Sequence, residues 1–93
     1  MLGLDIGDRR IGIAVADALR ITAQGLPTLE RKNLAYDLAY LEKIIKERQI
    51  KTLVVGLPKN MDGTVGPQGE KVQSFVNALL DHLKEQPLEV VYW

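Results

Sequence analysis

Two alternating segments separated by a short polar turn open the chain, and this pattern constrains the fold more than any other feature. In the first segment, residues 2–7, leucine and isoleucine alternate with glycine and aspartate. In the second, residues 11–16, isoleucine and valine alternate with glycine and alanine. Alternation with a period of two is typical of a strand that buries one face. Because only the polar residues 8–10 separate the segments, we predict a β-hairpin.

Further extended segments follow the hairpin. A weaker one, from about Thr22 to Leu29, is interrupted by Pro27, which favours a strand at the edge of a sheet. Short apolar runs at 52–56 and 88–93 predict two more strands. Asp17, at the end of the second strand, is predicted to cap a turn.

Two segments carry apolar residues at helical spacing. The first follows Asn33, a favourable N-cap residue, and its apolar stripe predicts a helix with one buried face. The second begins at Pro67, which suits the first helical position. We expect it to end at Gln86-Pro87, because proline cannot continue a helix. The predicted element order is therefore βββαβαβ.

This order predicts an α/β domain built on a mixed sheet. If the strands lie in the order 3-2-1-4-5, with strand 2 antiparallel, right-handed crossovers place both helices on the same face. The other face then has no cover within the chain. The chain also stops inside an apolar strand at Trp93. We therefore expect residues 1–93 to be a single domain that is truncated and lacks a carboxyl-terminal helix.

Asp5 is the first candidate for chemistry, because aspartate is disfavoured inside a strand. Burying it without a partner costs about 2–7 kcal/mol, or more when it is charged. A bound cation would compensate, and Mg²⁺ takes carboxylate oxygens as ligands. The small neighbours Gly3, Gly7, Gly12 and Ala14 leave room for a phosphate backbone or a packed helix. The alternative interpretation is an exposed aspartate that caps a turn.

Two motifs in this sequence resemble those of the YqgF (RuvX) family. The opening hairpin of that family resembles residues 3–17, Gly-Leu-Asp-Ile-Gly-Asp-Arg-Arg-Ile-Gly-Ile-Ala-Val-Ala-Asp. Its second signature resembles residues 54–66, Val-Val-Gly-Leu-Pro-Lys-Asn-Met-Asp-Gly-Thr-Val-Gly. The pair is highly specific, and the resemblance covers the whole chain.

The resemblance implies an RNase H-like fold and a cytoplasmic bacterial nuclease. The family is linked to maturation of the 5′ end of pre-16S rRNA in ribosome biogenesis, and its members were earlier proposed as Holliday junction resolvases. In RNase H-like enzymes, a first-strand aspartate and further acidic residues bind two divalent ions. By this match Asp5 is the catalytic, metal-binding aspartate, and the cofactor is Mg²⁺ or Mn²⁺. The family's other carboxylates lie beyond Trp93, so we expect residues 1–93 alone to be inactive.

Four further residues are candidates for binding nucleic acid. Arg9 and Arg10 lie just beyond Asp5, where arginines could clamp a phosphate. The alternative is an ordinary solvated turn. Lys59 and Asn60 follow the fourth strand, where α/β sheets commonly place ligands. For them the alternative is that the side chains merely shape the loop.

Composition limits the partners. Twelve basic residues balance twelve acidic ones, so a nucleic-acid partner requires a local basic cluster. No apolar run is long enough to span a membrane. The chain has no cysteine, which excludes disulfides and thiolate chemistry. An uncovered sheet face would also favour self-association.

Two other functions remain open. A non-catalytic RNA- or protein-binding module can have the same fold, since fold does not determine function. An actin-like ATPase fragment shares an aspartate-x-glycine strand motif, but it requires a second glycine-rich phosphate-binding half that this sequence lacks. Acidic residues after the last strand and on a final helix would favour the nuclease.

Overall fold

The part of the chain that the structure describes folds into a five-stranded mixed sheet with two helices. The computed structural model describes residues 1–16 and 23–92. The elements are β1 (Leu2–Ile6), β2 (Arg10–Ala16), β3 (Ala23–Glu30), α1 (Leu34–Glu47), β4 (Thr52–Val55), α2 (Pro67–His82) and β5 (Glu89–Tyr92). The predicted order βββαβαβ is confirmed. The turn-capping role predicted for Asp17, the predicted strand start at Thr22 and the end at Trp93 lie outside the described residues.

The strands lie in the order β3-β2-β1-β4-β5, as predicted. The central strand β1 pairs with β2 in antiparallel and with β4 in parallel orientation, and β4 pairs with β5 in parallel. β3 is an edge strand, in agreement with its Pro27. Its register with β2 shifts between Ile11 and Ile13. This mixed sheet agrees with the RNase H-like fold that the resemblance implied.

Local sequence explains the helix ends, with one correction. The Asn33 side-chain oxygen accepts a hydrogen bond from the Tyr36 backbone N–H at 2.8 Å, which caps α1 as predicted. α2 begins at Pro67 as predicted, but it ends at His82 and not at the predicted Gln86-Pro87. Leu83 is buried although it lies beyond the helix. The apolar stripe therefore continues past the last helical turn, and for this reason the sequence predicted a helix end that is too late.

The core lies between one face of the sheet and the two helices. Along β1, buried residues alternate with more exposed ones, so that Leu2, Leu4 and Ile6 face the core. Gly3 and Asp5 face the other side, which carries no helix among residues 1–16 and 23–92. We call this side the open face. Within the same residues, neither helix is long and apolar enough to cross a membrane.

Candidate functional site

Asp5 lies on the open face of the central strand. It is exposed, whereas its neighbours Leu4 and Ile6 are buried under the helices. Across the β1–β2 pair it stands opposite Gly12, where an added Cβ would come within 3.4 Å of the Asp5 Cβ. The groove around it is lined by Gly3, Gly12 and Ala14 together with larger apolar residues of β1, β2 and β4. The Asp5 carboxylate therefore meets solvent, with free space beside it. The cost of burial from which the sequence suggested a bound cation does not apply here, because Asp5 is exposed.

The loop after β4, residues 57–66, begins next to the strand that carries Asp5. The Gly56 N–H donates a hydrogen bond to the Leu4 carbonyl at 3.2 Å. Because β1 and β4 are parallel, their carboxyl ends meet at the same edge of the sheet, where α/β folds commonly bind ligands. The two sequence motifs thus meet in space at this edge.

Asn60 closes this loop on itself. Its backbone N–H donates to the Thr64 carbonyl at 2.8 Å, and its side-chain amide donates to the Thr64 hydroxyl at 3.1 Å. The Asp62 carboxylate accepts hydrogen bonds from the Thr64 hydroxyl and backbone N–H, which lower the pKa of Asp62 below its ordinary value. Gly63 adopts a φ of +87°, a conformation that favours glycine. Asn60 and Asp62 thus shape the loop, and binding of nucleic acid by Asn60 stays a prediction. Lys59 is exposed.

The loop rests on the first turn of α2 through Gly69. A Cβ at this position would lie 2.6 Å from the Pro58 carbonyl oxygen and 2.7 Å from a Val65 methyl group. Neither neighbour is the far end of a flexible side chain. Gly69 therefore lets the loop approach the helix closely, and this contact sets where Lys59 stands.

We expect Gly69→Ala to displace the loop and to weaken the predicted binding of nucleic acid about tenfold, because the added methyl group overlaps backbone. Gly25→Ala is the matched control, since nothing lies within 4 Å of its added Cβ. Fluorescence anisotropy with a labelled RNA measures the affinity. Equal affinities for the two variants would show that the loop position does not matter for binding.

Arg9 and Arg10 are exposed at the turn between β1 and β2. The turn is closed by a hydrogen bond from the Gly7 N–H to the Arg10 carbonyl at 2.8 Å. Arg10 belongs to β2 and stands opposite Glu30 in the register of β2 with β3. Both arginines line a shallow cleft together with Asp8, Glu30 and Arg31. The structure thus places Arg9 three residues and Arg10 four residues beyond the end of the Asp5 strand, in reach of solvent.

An ion pair that the sequence did not predict lies next to this turn. Arg31 Nε and the Asp37 carboxylate are 2.9 Å apart, and the Asp37 side chain is only 1% exposed. The sequence does contain a signal for this ion pair, because Asp37 falls on the apolar face of α1, one turn before Leu41. An acidic residue on such a face requires a partner.

A single carboxylate marks the candidate metal site. Among residues 1–16 and 23–92, no group of three or more His, Cys, Asp or Glu residues could hold a metal ion. Exposed Asp5 fits one ligand position for a hard cation, which takes oxygen ligands. It does not make a metal site by itself. His82 contacts Glu42 at 3.2 Å on the helix surface, away from Asp5's sheet face.

Comparison with known proteins gives consistent matches over the whole chain. The family model described as RuvX, Holliday junction resolvase, matches residues 1–93. A relative from Clostridium botulinum, provisionally named pre-16S rRNA nuclease, is 52% identical over 93 residues, which are 100% of this chain and 66% of the relative. Relatives with the same name from Clostridium novyi and Clostridium tetani are 54% and 47% identical over 90% and 100% of this chain, and these matches cover 62% and 65% of the relatives. The chain thus spans slightly less than two thirds of their length.

Proposed function

Because the chain belongs to the RuvX family, we propose that it acts in a nuclease that hydrolyses phosphodiester bonds of structured nucleic acid. The observation that carries this proposal is the exposure of Asp5 on the open face, beside the loop that follows β4 and the arginines of the β1–β2 turn. Basic groups at this edge suit a phosphate-containing ligand, and a carboxylate beside them suits a cation that bridges to the phosphate.

We propose the 5′ end of precursor 16S rRNA as the substrate and the cytoplasm as the site of action. Support comes from the provisional name of the clostridial relatives. The family description instead names Holliday junctions, which are branched DNA. Both substrates present closely spaced phosphates, so Arg9, Arg10, Lys59 and Asn60 are proposed to contact the backbone in either case.

We propose that cleavage depends on Mg²⁺ or Mn²⁺, with Asp5 as one ligand. Such ions supply an activated water and stabilise the leaving oxygen in nucleases. Among the described residues, no group of three or more His, Cys, Asp or Glu could hold such an ion. Additional carboxylates are therefore required, and we expect residues 1–93 alone to bind RNA without cleaving it.

The test compares residues 1–93 with a fusion that adds the segment of the Clostridium botulinum relative outside the match. A 5′-extended precursor 16S rRNA fragment and a four-way DNA junction serve as substrates, with Mg²⁺, Mn²⁺ or EDTA. We expect only the fusion to cleave, only with metal, and to cleave RNA faster than the junction. Faster junction cleavage would favour the resolvase, and a fusion that cleaves neither substrate would contradict the nuclease proposal.

A second candidate is a non-catalytic module that binds nucleic acid. The observation that favours it is the lack of an acidic cluster among residues 1–16 and 23–92. Under this function, the fusion binds RNA in the absence of metal as tightly as in its presence and cleaves nothing.

We also propose that the chain self-associates, because the groove around Asp5 is uncovered. Sedimentation of the protein can test this proposal.

A further inference from the structure

Arg31 connects three parts of the fold next to the proposed site. It follows β3, and its Nη1 donates a hydrogen bond to the Gly7 carbonyl at 2.9 Å. Its Nε donates to the Asp37 carboxylate of α1 at 2.9 Å. The centre of its guanidinium lies 4.9 Å from the centre of the Phe75 ring of α2. One side chain thus touches the end of β1 and both helices.

Asp37 holds this guanidinium in place. Besides Arg31, its carboxylate accepts a hydrogen bond from the Lys32 N–H at 3.2 Å, so both oxygens have partners. Asp37 is 1% exposed, whereas Arg31 is 24% exposed. A buried ion pair is often no more stabilising than apolar residues of similar size, since both charges lose their hydration. The pair therefore requires an explanation beyond stability.

The group that this pair holds is the β1–β2 turn. The Gly7 carbonyl accepts from the Arg31 side chain, while the Gly7 N–H donates to the Arg10 carbonyl. The Arg31 backbone N–H in turn donates to the Arg9 carbonyl at 2.8 Å. Gly7 itself is tightly placed, because a Cβ there would lie 3.0 Å from the Arg10 carbonyl oxygen. Backbone and side chain of Arg31 thus fix the turn from two sides.

We propose that Arg31, oriented by Asp37, is a positioning residue that fixes the β1–β2 turn so that Arg9 and Arg10 stand beside Asp5 for binding nucleic acid. This proposal rests on the proposed function. Arg31 acts through the turn and does not contact the phosphate, since its charge is already matched by the Asp37 carboxylate. A turn that is ordered before binding loses less entropy when the ligand arrives, and binding is correspondingly tighter.

The decisive variant replaces the pair with apolar residues, Arg31→Met with Asp37→Leu. The urea midpoint is expected to stay close to that of the wild type, because the apolar pair can fill the same space without a desolvation penalty. Affinity for the labelled precursor 16S rRNA fragment is expected to fall about tenfold, as is common when an outer positioning partner is removed. A stable double variant with wild-type affinity would overturn the proposal.

The matched control makes the same chemical change at another ion pair. Glu42 and Lys46 pair at 3.2 Å on the outer surface of α1. Glu42→Leu with Lys46→Met is expected to leave RNA affinity within about twofold of the wild type, since this partly exposed pair contributes little. A tenfold loss in this control would show that the effect is not specific to the turn, and would count against the proposal.

The salt dependence of binding separates positioning from direct contact. Affinity for nucleic acid decreases with salt, and the magnitude of the slope of log affinity against log salt decreases by about one when a residue that contacts a phosphate is lost. We expect this decrease for Arg9→Met or Arg10→Met, and an unchanged slope for the Arg31/Asp37 double variant. A decrease of about one in the double variant would mean that Arg31 binds the phosphate itself, and would overturn the positioning role.

Amide hydrogen exchange tests the turn without nucleic acid, so that failure of the proposed function does not obscure the result. The Gly7 N–H is expected to exchange about tenfold faster in the double variant, because local opening of the turn becomes easier. Arg31→Lys provides a second variant if the first does not fold, since one ammonium cannot reproduce the fork of bonds to Asp37 and Gly7. Unchanged Gly7 exchange in a folded variant contradicts the proposal, even if the protein binds no RNA at all.

Discussion

Asp5→Asn is expected to reduce metal-dependent cleavage by the fusion described above about 10³-fold, which corresponds to about 4 kcal/mol of transition-state stabilisation. Asparagine keeps the size of the side chain but removes the negative charge that a divalent cation requires. Because Asp5 is exposed beside an open groove, the fold should tolerate the change. The free energy of unfolding is expected to stay within about 0.5 kcal/mol of the wild type.

Asp8→Asn is the control for this measurement. Asp8 is also acidic and exposed, and it lies in the adjoining turn, where its carboxylate pairs weakly with Lys71 at 3.5 Å. Initial cleavage rates of the two variants at saturating Mn²⁺ decide the outcome, and Asp8→Asn should cleave nearly as fast as the wild type. If Asp5→Asn retained comparable activity, Asp5 would not be a catalytic ligand, and the open face would lose its proposed role.

Leu53→Ala is expected to lower the free energy of unfolding by about 2–5 kcal/mol, because it leaves a cavity in the core. Leu53 is fully buried in β4, where it pairs with Leu2 of β1 and Val90 of β5. The total free energy of unfolding of a small domain is only about 5–15 kcal/mol. A large part of the stability of this sheet therefore depends on the single face that the helices cover.

Urea denaturation measures this effect, with Leu34→Ala as the control. Leu34 is the first residue of α1 and is 50% exposed, so the same substitution there is expected to cost less than about 1 kcal/mol. The slope of the denaturation curve should match the wild type for both variants. Similar losses at the two positions would mean that the core is not confined to the face of β1 and β4 under the helices.

Alternating and helical patterns were sufficient to predict the architecture. The alternation in β1 and β2 predicted both the strands and the faces they present, because a period of two fixes which side chains point to the core. The strand order then placed both helices, since crossovers between parallel strands have one hand. Exposure of Asp5 on the open face follows from the same alternation.

The ion pair of Arg31 and Asp37 shows where patterns fail. The partners are six residues apart, and one precedes the helix that carries the other. No local spacing rule for helices or strands brings such residues together. Their contact depends on how β3 meets α1, which is set by the packing of the whole domain. The hydrogen bonds from Asn60 to Thr64 were likewise not predictable, because they depend on how the loop backbone closes.

The position of β4 in the sheet determines when the site can form during synthesis. In the meander β1–β2–β3, each strand pairs with the next one in the sequence. Leu2 of β1, in contrast, can pair with Leu53 only after β4 has been synthesised. Contacts between distant segments form more slowly than local ones, since a longer chain must be closed. A nascent chain that has not yet reached residue 52 can thus display Asp5 and the arginine turn on a hairpin, but it acquires the neighbouring loop only after α1 has brought β4 alongside.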